Sequence, residues 1–231
     1  MKRYFHGLAL GLLLLGAPSC KFVTGLISGG SGPADVNDLV EAAERVAGEI
    51  DESKQSMLSA VQALQKVTAP DFQGDAVKAH EELEDAIEGS EDQANDFRRS
   101  IEKMQAAAEP VFDQWTKDLE AYSNPEMRQR SQARLSAARE RYDAVVAAVE
   151  PVLVEYEAIN ANLRDHILFL SHDLNAEAVA TIQEDVKKVS KEASDLDGSF
   201  NSAKAATRSY VESSAQPKAG THEKAVAVKG S

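Results

Sequence analysis

The chain predicts an all-α fold: an elongated antiparallel four-helix bundle, or coiled coil, with a two-helix tip protruding from one end. Three observations predict it. Between residues 35 and 212 strand signals are almost absent, and apolar residues recur at alternating three- and four-residue steps, the seam of packed helices. Three short breaks divide that rhythm into four segments, so successive helices run antiparallel. The segments differ in length, so they do not all reach both ends.

The first helix, about 35–68, carries the seam Val36, Leu39, Ala43, Val46, Ile50, Ser53, Met57, Ala60, Leu64 and Val67. Ala69-Pro70-Asp71-Phe72-Gln73-Gly74 ends it with proline and glycine. The second, about 75–122, runs through Leu83, Ile87, Ser90, Ala94, Phe97, Ile101, Met104, Ala108, Val111 and Trp115. At Ser123-Asn124-Pro125-Glu126, Asn124 suits the cap of the next helix, Pro125 its first turn and Glu126 its positive end.

The third helix, about 125–170, carries Leu135, Ala138, Tyr142, Val145, Val149, Val152, Tyr156, Ile159, Leu163, His166 and Leu170. Around Ser171-His172-Asp173-Leu174-Asn175 the apolar phase slips, and Asp173 or Asn175 starts the fourth helix, about 175–212. Its seam is Val179, Ile182, Val186, Val189, Ala193, Leu196, Phe200, Ala203, Thr207 and Tyr210. At 1.5 Å per residue the first and fourth helices stop roughly 20 Å short of the 122–126 turn, leaving a bare tip over about residues 109–136. Pro110 falls where body gives way to tip, a natural kink, and Pro151 predicts a bend in the third helix. Ala107–Val111 echoes Ala148–Val152; heptad sequences share such likeness without duplication.

The ends predict a cellular address. Lys2 and Arg3 precede the apolar run Leu8–Leu15, too short to span a bilayer, so residues 1–19 read as an export signal. Cys20, just past it, predicts lipidation, although Ala17 stands where a lipobox usually has leucine. Ala17 and Ser19 also suit plain secretion to the periplasm. Cys20 is the only cysteine, which excludes an internal disulfide framework. Residues 20–34 read as a lipid-anchored flexible tether and 213–231 as a disordered tail.

Charge narrows the partners. The formal net charge is −13, and cleavage after residue 19 leaves 23 basic and 38 acidic residues, a net of −15. Nucleic acid needs a basic face and is excluded as a partner. Against this background residues 127–141, MRQRSQARLSAARER, hold five arginines and one acid. One reading is local neutralisation, through Glu126–Arg130, Arg139–Asp143 and Arg128 opposite Asp118, with Asp35 and Asp38 opening the first helix and Glu212 ending the fourth at about that height. The other is a contact surface, with Phe112, Trp115, Tyr122, Arg128, Arg130, Arg134 and Arg141 facing membrane or a partner.

Catalytic and metal motifs are missing. His80-Glu81-Glu82-Leu83-Glu84 begins like a zincin helix without the second histidine, and no Glu-x-x-His occurs. Asp165, His166, His172 and Asp173 surround one turn, but His166 sits in seam phase. Glu81–Asp92 reads as a solvated acidic face. No cofactor, metal or catalytic residue is expected.

The stretch VFDQWTKDLEAYSNPEMRQRSQARLSAARERYD, with the later LFLSHDLNAEAVATI, resembles the bacterial family called domain of unknown function 2959, over about Val36 to Val211. The resemblance implies an envelope-associated helical protein and brings no catalytic residues. The expected role is a non-enzymatic envelope lipoprotein, a scaffold or adaptor contacting membrane, a protein partner or a second copy through its tip. The alternative is a ligand- or metal-binding periplasmic bundle.

Overall fold

The computed structural model describes residues 33–172 and 174–214. The predicted export signal, Cys20 with nearly all of its tether, Asp173 and the chain beyond 214 lie outside the described residues. Four helices follow in order: α1 (Pro33–Val67), α2 (Ala76–Asp118), α3 (Pro125–His172) and α4 (Ala176–Ser214), with a 3-10 turn at Leu119–Ala121. They pack around a square in which α1 and α3 each lie between α2 and α4. This is the antiparallel four-helix bundle.

Each connection is closed by side-chain chemistry at the following helix. Asp75 caps α2, accepting from the Val77 and Lys78 amides at 3.0 and 3.2 Å. Asn124 caps α3 through the Glu126 and Met127 amides at 2.9 and 3.3 Å, and Asn175 caps α4 through Glu177 and Ala178, both at 2.9 Å. These bonds occupy amides that the first turn leaves without partners. In the α1–α2 loop a Cβ on Gly74 would meet the Phe72 ring at 2.8 Å, so a larger residue there would have to push that ring aside.

The seam decides what is buried. Every position of the four predicted series is buried except Val36, Trp115, Ala138, Tyr142 and Val179, which are half-buried. A single continuous core results, with Phe97, Tyr156 and Phe200 among its largest members. Tyr156 and Phe97 meet Phe200 at ring-centroid distances of 5.8 and 6.4 Å.

Polar contacts at the rim fix the register. Arg164 binds Glu91, Arg98 binds Glu157, and Gln105 donates to Glu150. Seven residues forward in α2 are thus seven residues back in α3, a heptad step in an antiparallel pair. Lys54–Asp197 and Lys204–Asp51 tie α1 to α4.

Pro110 and Pro151 do not end their helices; α2 and α3 continue through both. Each removes one amide donor, and the carbonyls it frees belong to Ala106 and Ala147. Those alanines and both prolines are exposed, so water reaches the freed groups.

The long helices outrun the short ones. At 1.5 Å per residue, the 43 and 48 residues of α2 and α3 span about 64 and 72 Å. The 35 and 39 residues of α1 and α4 span about 52 and 58 Å. Because α1 and α4 join α2 and α3 at the opposite end, the long helices outrun them by about 12–14 Å, and the Leu119–Ala121 turn brings the hairpin's clearance to about 15–20 Å. One boundary departs from the rhythm: α2 stops at Asp118 rather than about 122. The chain tightens there into the 3-10 turn at Leu119–Ala121 and is extended at Tyr122, φ −70°, ψ 116°.

Candidate functional site

The tip begins where the fourth helix ends. Moving along α2 from Gln105, the next heptad rung is Phe112, and here the polar ladder gives way to rings. Phe112 meets Tyr142 at 5.5 Å, and Tyr142 meets Tyr210 of α4 at 6.1 Å. This aromatic layer closes the body. Burial lifts the Tyr142 phenol to about 12, and nearby Tyr210, Asp143 and Glu150 add to the rise. Burial also raises Tyr210, partly offset by a hydrogen bond with Ser214 and by the Arg141 charge.

Beyond that layer two helices must hold themselves. Leu119 and Leu135 are buried between them, and half-buried Trp115 donates its indole N–H to Ser131 Oγ at 2.9 Å. Nearly everything else is open: residues 120–130 are all exposed. Met127, Arg130, Ser131 and Arg134 lie at i, i+3, i+4 and i+7, one face of α3. With Trp115 and Tyr122 they line a shallow groove. Tyr122 is 39 % and Met127 46 % exposed.

The candidate contact residues therefore separate. Trp115, Tyr122, Arg130 and Arg134 come together at the groove, while Arg128 and Arg141 are exposed outside it. Phe112 is a correction: it is only 7 % exposed, packed under Tyr142, and offers no contact surface. Met127 and Ser131 belong to the groove but were not singled out in the sequence. Their shared helical face with Arg130 and Arg134 was the available signal.

Local neutralisation accounts for little of the arginine run. Among the described residues only Glu126–Arg130 forms, at 3.7 Å, with both side chains largely exposed. Arg139 turns from Asp143 to lie 5.3 Å over the Phe112 ring and to donate to Thr116 Oγ1 at 3.3 Å. Asp118 accepts from Gln114 rather than from Arg128. Among the described residues Arg128 and Arg134 form no ion pair.

Charge separates the two regions further. Residues 109–141 hold six basic and six acidic residues, whereas residues 35–108 and 142–214 hold thirteen basic and thirty-one acidic, a net of −18. The segment that contains the tip is neutral overall and the rest of the bundle strongly negative.

Of the four residues around the α3–α4 turn, Asp173 lies outside the described residues. His166 is buried, and its Nδ1 lies 2.7 Å from the Asn162 carbonyl oxygen, while Asp165 and His172 are exposed. Among the described residues no three His, Cys, Asp or Glu side chains stand together as ligands. A buried polar layer crosses the middle of the body. Ser90 Oγ donates to Asn160 Oδ1 at 2.7 Å, and Tyr156 OH and Asn160 Nδ2 donate to the Ser90 carbonyl at 2.8 and 3.1 Å. At the end opposite the tip, Val67, Pro70, Phe72, Leu174 and Val179 line an apolar pocket of about 350 Å³. Among the described residues no helix is long and apolar enough to cross a membrane.

A long helical bundle with an acidic body and a basic-faced hairpin tip is the class of protein these features define. The chain belongs to the family described as Protein of unknown function (DUF2959), whose family model matches residues 32–213. No curated protein matches it.

Proposed function

We propose that the protein is a non-enzymatic scaffold or adaptor of the cell envelope, a lipoprotein held through Cys20 and facing the periplasm, that engages a membrane or partner through its hairpin tip. The observation that carries this reading is the groove of Trp115, Tyr122, Met127, Arg130 and Arg134 on a hairpin that outreaches α1 and α4. Such a hairpin contributes little to the main core, and its exposed tyrosine, methionine and arginines are the side chains that favour contact surfaces. The chain also enters the bundle from the tip end, since α1 begins there. An anchor at Cys20 would hold the tip towards the membrane that bears it.

Photo-crosslinkers placed in intact envelopes at Tyr122 and Met127, and at body positions Val154 and Val77, test the reading. Adducts from the tip positions and none from the body positions are expected. Equal yield from both, or none from the tip, defeats the proposal. Palmitate labelling that disappears in Cys20→Ser checks the anchor separately.

A second reading, a ligand- or metal-binding bundle, draws on the apolar pocket beside the α3–α4 turn. A melting point raised by a divalent cation or by a small apolar ligand would favour it.

A further inference from the structure

We infer that the tip groove docks on an anionic phospholipid surface, with Arg130 and Arg134 taking lipid phosphates while Tyr122 and Met127 enter the boundary between headgroups and acyl chains. The inference rests on the reading of the tip as the contact end and names what it contacts.

Charge complementarity comes first. Arg130 and Arg134 are one turn apart on a single face, so both guanidiniums project to the same side of α3. Arg134 has no ionic partner among the described residues, and the Glu126 partner of Arg130 is 3.7 Å away and largely solvated. A planar guanidinium with several free donors matches phosphate oxygens two at a time. The apolar contribution shares the groove: Tyr122 and Met127 are exposed beside the arginines, with Trp115 behind them. Amphipathic rings favour the headgroup level of a bilayer.

The body dictates the direction of approach. Its net of −18 repels an anionic surface, so a sideways approach is unfavourable. The tip stands about 15–20 Å clear of α1 and α4. The Debye length at physiological ionic strength is about 8 Å, so that clearance is about two screening lengths. Repulsion from the body is largely screened when the tip touches the surface. End-on contact is the geometry left.

The length of chain before the bundle permits it. Thirteen residues lie between Cys20 and Pro33, counting Cys20 itself. Extended, they reach about 43 Å, more than the tip's clearance. An anchor at Cys20 and a tip on the same surface are therefore compatible.

Trp115 is the sole tryptophan, so its emission reports on the tip alone. The test uses the full chain carrying Cys20→Ser, with brominated-lipid quenching of Trp115 read in three arms. These are vesicles with about one third phosphatidylglycerol in phosphatidylcholine, vesicles of phosphatidylcholine alone, and inorganic phosphate without vesicles, the last read as an emission shift. Quenching confined to the phosphatidylglycerol arm is expected. The variant Arg130→Gln/Arg134→Gln should partition roughly 25-fold more weakly, about fivefold per arginine. Equal quenching by neutral vesicles overturns the inference, as does unchanged partition of the double variant. An emission shift with phosphate alone, absent with vesicles, assigns the groove to a soluble phosphate ligand and also overturns it. If Trp115 stays unquenched while tip crosslinks capture a protein, the lipid assignment falls and the adaptor reading stands. If neither occurs, both fall.

Discussion

Body and tip are built from the same two helices, yet they are held together by different physics. Along α2 and α3 the body adds α1 and α4, so most seam residues find neighbours from several helices and are almost fully excluded from water. At the tip only one helix faces the other. Leu119, Leu135 and the Trp115–Ser131 bond close that interface, and the remaining surface stays exposed. The comparison teaches that one heptad rhythm, continued past the ends of its partners, turns core positions into surface. Stability belongs to the first region, the proposed function assigns contact to the second, and substitutions in each should separate accordingly.

The largest effect is expected in the body's aromatic core. Phe200 is 0 % exposed and touches the rings of Phe97 and Tyr156. Phe200→Ala removes that contact and leaves a cavity that four rigid helices cannot fully collapse, so about 3–5 kcal/mol should be lost. Urea denaturation followed by circular dichroism measures it. A loss below about 1 kcal/mol would mean that the layer is not packed as described.

The polar layer comes next. Asn160 is 3 % exposed and bonds both the side chain and the carbonyl of Ser90. Asn160→Ala strips these bonds from groups that cannot reach water, at about 1–3 kcal/mol. Ser53 offers the opposite sign: it is 0 % exposed, and its hydroxyl has no partner among the described residues. Ser53→Ala should leave stability unchanged or raise it by up to about 1 kcal/mol. Destabilisation by Ser53→Ala would show that the hydroxyl is satisfied.

How much of this was legible in the sequence follows from the same distinction. The body was legible because its apolar residues alternate strictly: Leu39, Ala43 and Val46 must share a face, and only four such faces packed together bury them. The tip was legible through arithmetic on helix lengths. What escaped depends on contacts across helices. Phe112 lies one position from Val111 in the predicted seam, and only Tyr142 together with the end of α4 at Tyr210 shows that it is covered. Arg139 was paired with Asp143 on helical spacing, but a ring and a hydroxyl on the neighbouring helix held it instead. Asn160, beside seam residue Ile159, gave no sign of burial, since its partner Ser90 is 70 residues away.

The boundary between the two regions should respond to alkali. Folding raises the phenol of Tyr142 to about 12, and burial raises Tyr156 and Tyr210 as well. The folded chain then keeps protons that the unfolded chain releases above its ordinary value near 10. That stabilisation is complete below about pH 10 and is lost as pH climbs towards 12. Since Tyr142 is half-buried, its share after screening by water is on the order of 1 kcal/mol. Urea midpoints at about pH 8 and about pH 11 should converge in Tyr142→Phe relative to the wild type. No narrowing would mean that the aromatic layer is open to solvent.

The smallest effect should come from the tip, and it discriminates most sharply between the regions. Arg130→Gln/Arg134→Gln removes one ion pair whose side chains are 72 % and 81 % exposed, and one arginine without any ion pair among the described residues. Exposed pairs of this kind contribute a few tenths of a kcal/mol. Arginine and glutamine have nearly equal helix propensity, so α3 itself should not notice the exchange. Stability should stay within about 0.5 kcal/mol of the wild type, as for surface substitutions generally. A loss above about 1 kcal/mol would give the arginines a structural role in the hairpin and dissolve the division between a body that holds and a tip that binds. Unchanged stability would leave the double variant as a clean probe of the proposed tip contact, since any loss of binding could not come from a weakened fold.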